Sequence, residues 1–411
     1  MIKKSANRYV VLCALFVNSF CIGGVYAWSV FAMPLASYRN WEYGSVTLAY
    51  SLMNLMIAAI GIPGGRLLDK FGPKKLMLLS SALFGFGWML SGFAATLPMF
   101  YFLFGICCGG GSGLRYNPCI TTAVRWFPDK KGFASGLVVG AMGLAALPLA
   151  PIANALLERF DIQWAFGYLG IAFFVLSFIA SLFVAAPPEG WLPEGYKASL
   201  SGPADNSRDY TWQEIFKEKR FYLLWVLFFG SCVSGLMLIG HASAIGQSVV
   251  NMTSSQAALL VGVMAIANFG GRMIMGSLSD YMGRYKILII CLTVSTLDML
   301  LLANSNSFAA FMVAIILVGI TFGGVLSVFP TVVSDVFGMK HMGINYGILF
   351  TAYGVAAIVG PMAAAVLSST TGSYVSAFVL AGVFSLISLL LTILVMRSKS
   401  NSTNEQAYAN T

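Results

Sequence analysis

Charge is what this sequence has least of. Only 9% of its 411 residues are Asp, Glu, Lys or Arg, where a soluble domain carries roughly a quarter. With 58% hydrophobic residues and a mean hydropathy of +0.82, the apolar side chains exceed what one aqueous core can hide, which excludes a water-soluble fold. Histidine is scarce too: His241 and His341 are the only two. The seven cysteines, Cys13, Cys21, Cys107, Cys108, Cys119, Cys232 and Cys291, have no metal-ligand spacing with them. Zinc and disulfide frameworks are therefore unsupported, and the thiols read as small packing groups. No Gly-Lys-Ser/Thr follows the glycine-rich run Gly109–Gly113, which removes a nucleotide-phosphate loop. No Ser/His/Asp or metal cluster falls at one depth, so nothing calls for an enzyme, a metal or any cofactor. Alternating segments of about ten residues, the mark of a transmembrane barrel, are missing as well.

What the sequence does have is long apolar stretches. A helix needs about 20 apolar residues to cross a bilayer. Twelve such stretches are present, near 9–36, 45–67, 76–95, 98–124, 134–156, 164–185, 220–248, 255–278, 286–304, 307–334, 344–368 and 374–396. The expected fold class is an all-α membrane protein of twelve transmembrane helices. Its formal net charge of +9 reflects where the basic residues stand and not a nucleic-acid partner. With the N-terminus inside, twenty of the 24 Lys and Arg residues fall in inside segments, and only Arg39 and Arg159 fall outside. That positive-inside bias places both termini in the cytoplasm and the chain in the inner membrane. The first stretch follows Lys3 and Lys4 and lacks a small-residue cleavage site, so it reads as a retained helix and not a signal peptide.

One polar interval, 186–219, holds Pro187, Pro188, Pro193, Pro203, Gly190, Gly195, Gly202 and the densest group of acids in the chain. It reads as a cytoplasmic linker between six-helix bundles at 1–185 and 220–397, followed by a polar, disordered tail at 398–411. The two bundles repeat each other. Gly65, Leu67, Asp69, Gly72 and Lys75 match Gly276, Leu278, Asp280, Gly283 and Lys286 at an offset of 211. The same offset carries Gly132 to Gly343, Gly136 to Gly347 and Gly143 to Gly354. Two separated regions in one register indicate a duplication, an arrangement known among transporters.

The repeated segment, G-R-L-L-D-K-F-G-P-K-K at 65–75 and G-S-L-S-D-Y-M-G-R-Y-K at 276–286, resembles the signature loop of the major facilitator superfamily. A narrower resemblance rests on Tyr26-Ala27-Trp28, on Arg125-Trp126-Phe127-Pro128-Asp129-Lys130-Lys131-Gly132, on Ala134-Ser135-Gly136 and on Asn345-Tyr346-Gly347. These look like the oxalate/formate antiporter family, whose bacterial members move small carboxylates such as oxalate, formate, pyruvate and lactate. The likeness spans nearly the whole chain and is weakest in the linker and tail. It implies two pseudo-symmetric bundles, a small carboxylate as substrate, a proton or counter-anion as co-ion, and a single chain as the working unit.

Ionisable residues deep in the membrane are costly and usually line a pathway or pair with a neighbour. Arg272 stands eight residues before Asp280, about 12 Å along a helix, with Asn268 one turn away on the same face. A guanidinium suits a carboxylate through two parallel hydrogen bonds, and the resemblance makes Arg272 the substrate-binding arginine. A structural salt bridge is the alternative. Arg115, about 15 Å before Arg125, is unusual for the family, so substrate contact and purely structural bonding both stay open. The adjacent Tyr116, with Tyr26, Trp28, Phe322, Phe350 and Tyr353, matches the family's aromatic cavity lining. The family's second cation, a lysine, is replaced here by Tyr353. One fewer buried charge favours a monocarboxylate such as pyruvate, lactate or formate over oxalate, unless Arg115 restores the balance. His241 reads as a substrate or proton contact, or as a packed histidine bonded to a carbonyl. Asp298 reads as structural. Asp69, Asp280, Gly65 and Gly276 are the expected gating residues of the two signature loops. Three rival readings remain. A drug exporter lacks the buried acid facing a cavity, and a non-transporting carboxylate sensor lacks a long output segment. A membrane enzyme lacks its cluster.

Overall fold

The computed structural model describes residues 7–188, 191–193, 209–304 and 307–409, which form helices joined by turns. The chain opens with α1 (Arg8–Ile22), tightens to a 3-10 helix over Gly23–Ala27, and continues as α2 (Trp28–Arg39). This break was not visible in the apolar stretch 9–36. Gly23 packs on the Met142 carbonyl and Ala145, and Gly24 packs on the Phe173 ring, so neither position has room for a Cβ. Next come α3 (Tyr43–Phe71), α4 (Pro73–Ser91) and the short α5 (Leu97–Phe100), which passes through a π-helical stretch, Tyr101–Cys108, into α6 (Gly109–Trp126). The fifth expected span is two helices, α7 (Lys131–Leu144) and α8 (Ala146–Arg159), and α9 (Ile162–Leu182) follows. After a single turn, α10 (Trp212–Ile215), come α11 (Lys219–Val250), α12 (Ser254–Met282), α13 (Arg284–Asn304) and α14 (Phe308–Phe337). The eleventh span is α15 (Met342–Leu349) and α16 (Thr351–Thr371), and α17 (Val375–Ala409) closes the chain.

Among the described residues, ten stretches are long and apolar enough to cross a membrane. With α4 at 19 residues and α12 at 29 also of membrane length, the described helices are consistent with the twelve expected of an all-α membrane fold. Lipid offers no partner for backbone N–H and C=O groups, so each crossing segment must satisfy its own as a helix. Outward faces carry bare hydrophobes such as Met362, Leu297 and Leu394, each about 60% exposed. Much of the 186–219 interval lies outside the described residues. The tail was expected to be disordered, yet α17 runs to Ala409, because no Gly or Pro after Arg397 stops it.

Contacts divide the chain into two units. The first comprises Met1–Pro128, Leu137–Leu192 and Met339–Thr351; the second comprises Asp129–Gly136, Pro193–Gly338 and Ala352–Thr411. Each unit therefore includes the opening of a helix or span that continues in the other. Inside the first, α4 packs on α9, α3 on α6, and α15 on α3. Its core is aromatic, with Phe31, Trp88, Phe100, Phe104, Phe166 and Phe173 all within 2% of full burial. Gly109 and Gly113 bring α6 against Met53 and Ile57 of α3, while Gly111 meets Phe84 of α4. Small residues serve as glue between helices that gain nothing from hiding apolar surface in lipid. In the second unit α12 packs on α14, and α13 on α14 and α17. Methionines and Phe311, Phe378 fill that core.

Candidate functional site

The two signature segments end α3 and α12 in the same way. Gly72 (φ +77°) and Gly283 (φ +93°) take backbone conformations that side chains rarely adopt, which is why glycine recurs at both. Seven residues before each, about two helical turns, a glycine touches another glycine's backbone. In the first unit Gly65 lies on the Gly343 carbonyl group, and in the second Gly276 lies on the Gly132 carbonyl. Under the offset of 211 these are the same pair, made once in each unit.

The acids of the segments are used differently. In the first unit Asp69 accepts a 2.8 Å bond from Arg125 Nη2, which also donates to the Met339 and Lys340 carbonyls at 3.2 and 3.0 Å. In the second unit Asp280 accepts the backbone N–H groups of Gly132 and Phe133 at 2.9 and 3.1 Å. A carboxylate at a helix N-terminus, here that of α7, contributes roughly 0.3–2 kcal/mol. Arg284 donates to Asp280 at 2.5 Å and reaches Asp335 at 3.2 Å, and Lys131 meets Asp335 at 2.5 Å. Sequence reading missed Asp335 altogether. Its only signal was an acid at the end of α14, and nothing along the chain links it to Lys131 or Arg284.

Arg272 is buried to 4% exposure on α12, and its backbone is gripped from two sides. Gly136 lies on its carbonyl, and Gly323 of α14 lies against its N and Cγ, so that α14 fits closely beside the side chain's root. Gly136 and Arg272 correspond to Gly347 and Gly61 of the other unit, where Gly347 packs on the Gly61 carbonyl. The backbone contact is therefore conserved between repeats while a guanidinium replaces a bare hydrogen. In the first unit the space beside Gly61 is taken by Asn117, whose Nδ2 donates to the Gly61 carbonyl at 3.1 Å. Asn268 shares the Arg272 face, but its Nδ2 donates to the Gly319 carbonyl at 3.2 Å. It thus fixes α12 against α14. Phe322 packs closely against Gly235 of α11, while Tyr353 on α16 is half-buried. His241 Nε2 lies 3.0 Å from the Pro361 carbonyl, which requires the proton on that nitrogen, and its ring neighbours Tyr374.

The first unit separates its candidates. Tyr116 and Phe350 meet as tilted rings at 5.0 Å between centroids, with Tyr346 on the Phe350 ring at 5.7 Å. Arg115, next to Tyr116, is fully buried and turned into the bundle. Its Nε donates to Ser80 Oγ at 2.8 Å and its Nη1 to the Asn18 carbonyl at 3.3 Å, with the Phe84 ring below. Trp28 is in the aromatic core against Phe104 at 4.6 Å. Tyr26 falls on the 3-10 turn, and its side chain is outside those described. No group of three or more His, Cys, Asp or Glu side chains suited to a metal occurs among the described residues.

Comparison with known proteins agrees with this architecture. The sequence matches the Major Facilitator Superfamily over residues 12–280 and 227–409. It is 32% identical to an uncharacterized MFS-type transporter of Escherichia coli, YhjX, over 86% of each chain. It is 28% identical to the oxalate:formate antiporter of Oxalobacter formigenes, over 95% of this chain and 92% of that one. Among solved structures, the proton:xylose symporter XylE superimposes with a TM-score of 0.77 at 13% identity, covering 93% of this chain and 94% of that one. The duplicated signature, the long apolar helices and these matches agree: the chain belongs to the major facilitator superfamily and is a multi-pass membrane transporter.

Proposed function

We propose that the chain carries a small monocarboxylate, of the pyruvate, lactate or formate class, across the inner membrane by alternating access, with both termini in the cytoplasm. The observation that carries this reading is Arg272, a buried guanidinium at the repeat position where the other unit has Gly61. It supplies one positive charge and a planar fork of donors that matches one carboxylate. Tyr353 and Phe322, in the same unit as Arg272, are the aromatic contacts of the site, and Asn268 holds α12 in place for Arg272. A dianion such as oxalate needs a second cation. Arg115, whose Nε and Nη1 are bonded inside the first unit, is poorly placed to supply it, which supports one carboxylate over two. His241, bonded to a carbonyl, acts in packing.

Asp69, Asp280, Gly65 and Gly276 form the gate. Asp280 and Gly276 hold the opening of α7, and Gly65 holds that of α15, so release of these contacts is the step that lets the two units rearrange. The substrate is tested by counterflow into proteoliposomes: labelled pyruvate should accumulate against internal pyruvate, lactate or formate, and oxalate should compete weakly. Oxalate exchange as fast as pyruvate exchange would replace the monocarboxylate assignment with a dicarboxylate one.

A further inference from the structure

One buried acid has no use in carboxylate binding. Asp298 on α13 is 2% exposed, and neither carboxyl oxygen meets a donor among the described residues. One turn earlier on the same helix, Ser295 Oγ lies 3.0 Å from Ser234 Oγ of α11 and 3.2 Å from Ser385 Oγ of α17. Ser385 closes the triangle to Ser234 at 3.4 Å, and all three hydroxyls are buried. Residues three apart share a helical face, and Cα–Cβ bonds lean toward the helix N-terminus. Asp298 therefore shares the face of α13 that carries Ser295 and the hydroxyl triangle. Oxygens about 2.4 Å from a hard cation and at right angles to one another stand about 3.4 Å apart, close to the spacing of these hydroxyls.

The helices packed on α13 bring Asp298 no counter-charge bonded to its carboxyl among the described residues. On α11, His241 is bonded to Pro361, and Lys219 and Arg220 begin the helix. On α12, Asp280 is engaged by Arg284, and Arg272 is not hydrogen-bonded to either Asp298 oxygen. On α14, Asp335 is held by Lys131 and Arg284. The Arg397, Lys399 and Glu405 side chains of α17 lie outside those described. The thiols of Cys232 and Cys291 add no positive charge. An ionised carboxylate alone inside a bundle costs several kcal/mol, so a cation must accompany it. We infer that Asp298, Ser234, Ser295 and Ser385 bind one monovalent cation, a proton or a sodium ion. As a co-ion site this deepens the transport reading, but its test needs no flux, so either can fail alone.

The test is made on purified protein with a hydrophobic carbodiimide, which adds a carboxylic acid's O–H across its C=N bond, read by mass spectrometry at Asp298. Labelling that falls as pH rises and ignores sodium assigns the proton. Labelling suppressed by sodium but not by choline, with a sodium-dependent rise in Tm that Asp298→Asn abolishes, assigns sodium. If Asp298→Asn does not fold, Ser385→Ala keeps the carboxyl and serves instead. It should shift the half-protecting pH or sodium concentration by about tenfold, near 1.4 kcal/mol. No labelling at any pH together with no sodium effect on Tm overturns the site, and so does unchanged protection in Ser385→Ala.

Discussion

A single side chain separates the repeats where it matters most. Position 272 carries a guanidinium and its counterpart, position 61, carries nothing, although Gly136 and Gly347 approach the two backbones alike. If Arg272 binds the substrate carboxylate through both arms of its fork, lysine cannot replace it. Arg272→Lys should insert and fold normally yet lose nearly all uptake, at least about a hundredfold or roughly 2.7 kcal/mol. Uptake near wild type by Arg272→Lys vesicles would remove the residue from the site. Tyr353 gives the reciprocal test. Tyr353→Lys adds a second cation, so oxalate should compete several-fold better while pyruvate turnover falls, because one buried charge is left unmatched. Inhibition constants for pyruvate and oxalate against one labelled substrate read both effects, and an unchanged ratio would place Tyr353 away from the substrate.

Helix ends and helix contacts decide how the units hold their parts. Asp280 caps α7 through two backbone N–H groups, and Asp69 acts through Arg125. Their neutralisation should therefore differ in strength. Asp280→Asn should lower maximal transport more than Asp69→Asn, with substrate affinity changed less than about twofold in both. A tenfold change in affinity, about 1.4 kcal/mol, at unaltered turnover would contradict a gating role. Gly276→Val should be more severe than either, because its side chain would meet the Gly132 carbonyl. Loss of folded protein, read by gel filtration and Tm, accompanies that loss of transport. The spans themselves were legible in the sequence, since lipid permits only helices and a run of about 20 apolar residues announces one. The breaks at Gly23–Gly24, Ala145 and Phe350 were not, because partners distant in sequence set them. The burial of Arg272 was legible from its depth along the helix. Trp28 was legible as an aromatic but not as a core residue, and Asp335 not at all, since its ion pairs join positions far apart in the chain.

At the scale of the whole molecule, duplication supplies two units of one plan, and the proposed sites fall where the copies diverge. Each repeats the glycine contact and the positive-φ turn of its signature, so the framework belongs to both. The guanidinium at 272 and the unaccompanied acid at 298, with no charged counterpart at Gly61 and Gly87, belong to the second alone. A transporter of this kind moves its substrate only if the anion is held at one stage and released at another, so carriage and the Arg272 site stand or fall together. The most direct measurement is counterflow of labelled pyruvate in proteoliposomes holding equal amounts of folded wild type or Arg272→Ala. The account predicts a transient accumulation with the wild type, abolished by Arg272→Ala and competed by lactate and formate more strongly than by oxalate. Accumulation of equal size in both preparations would contradict it.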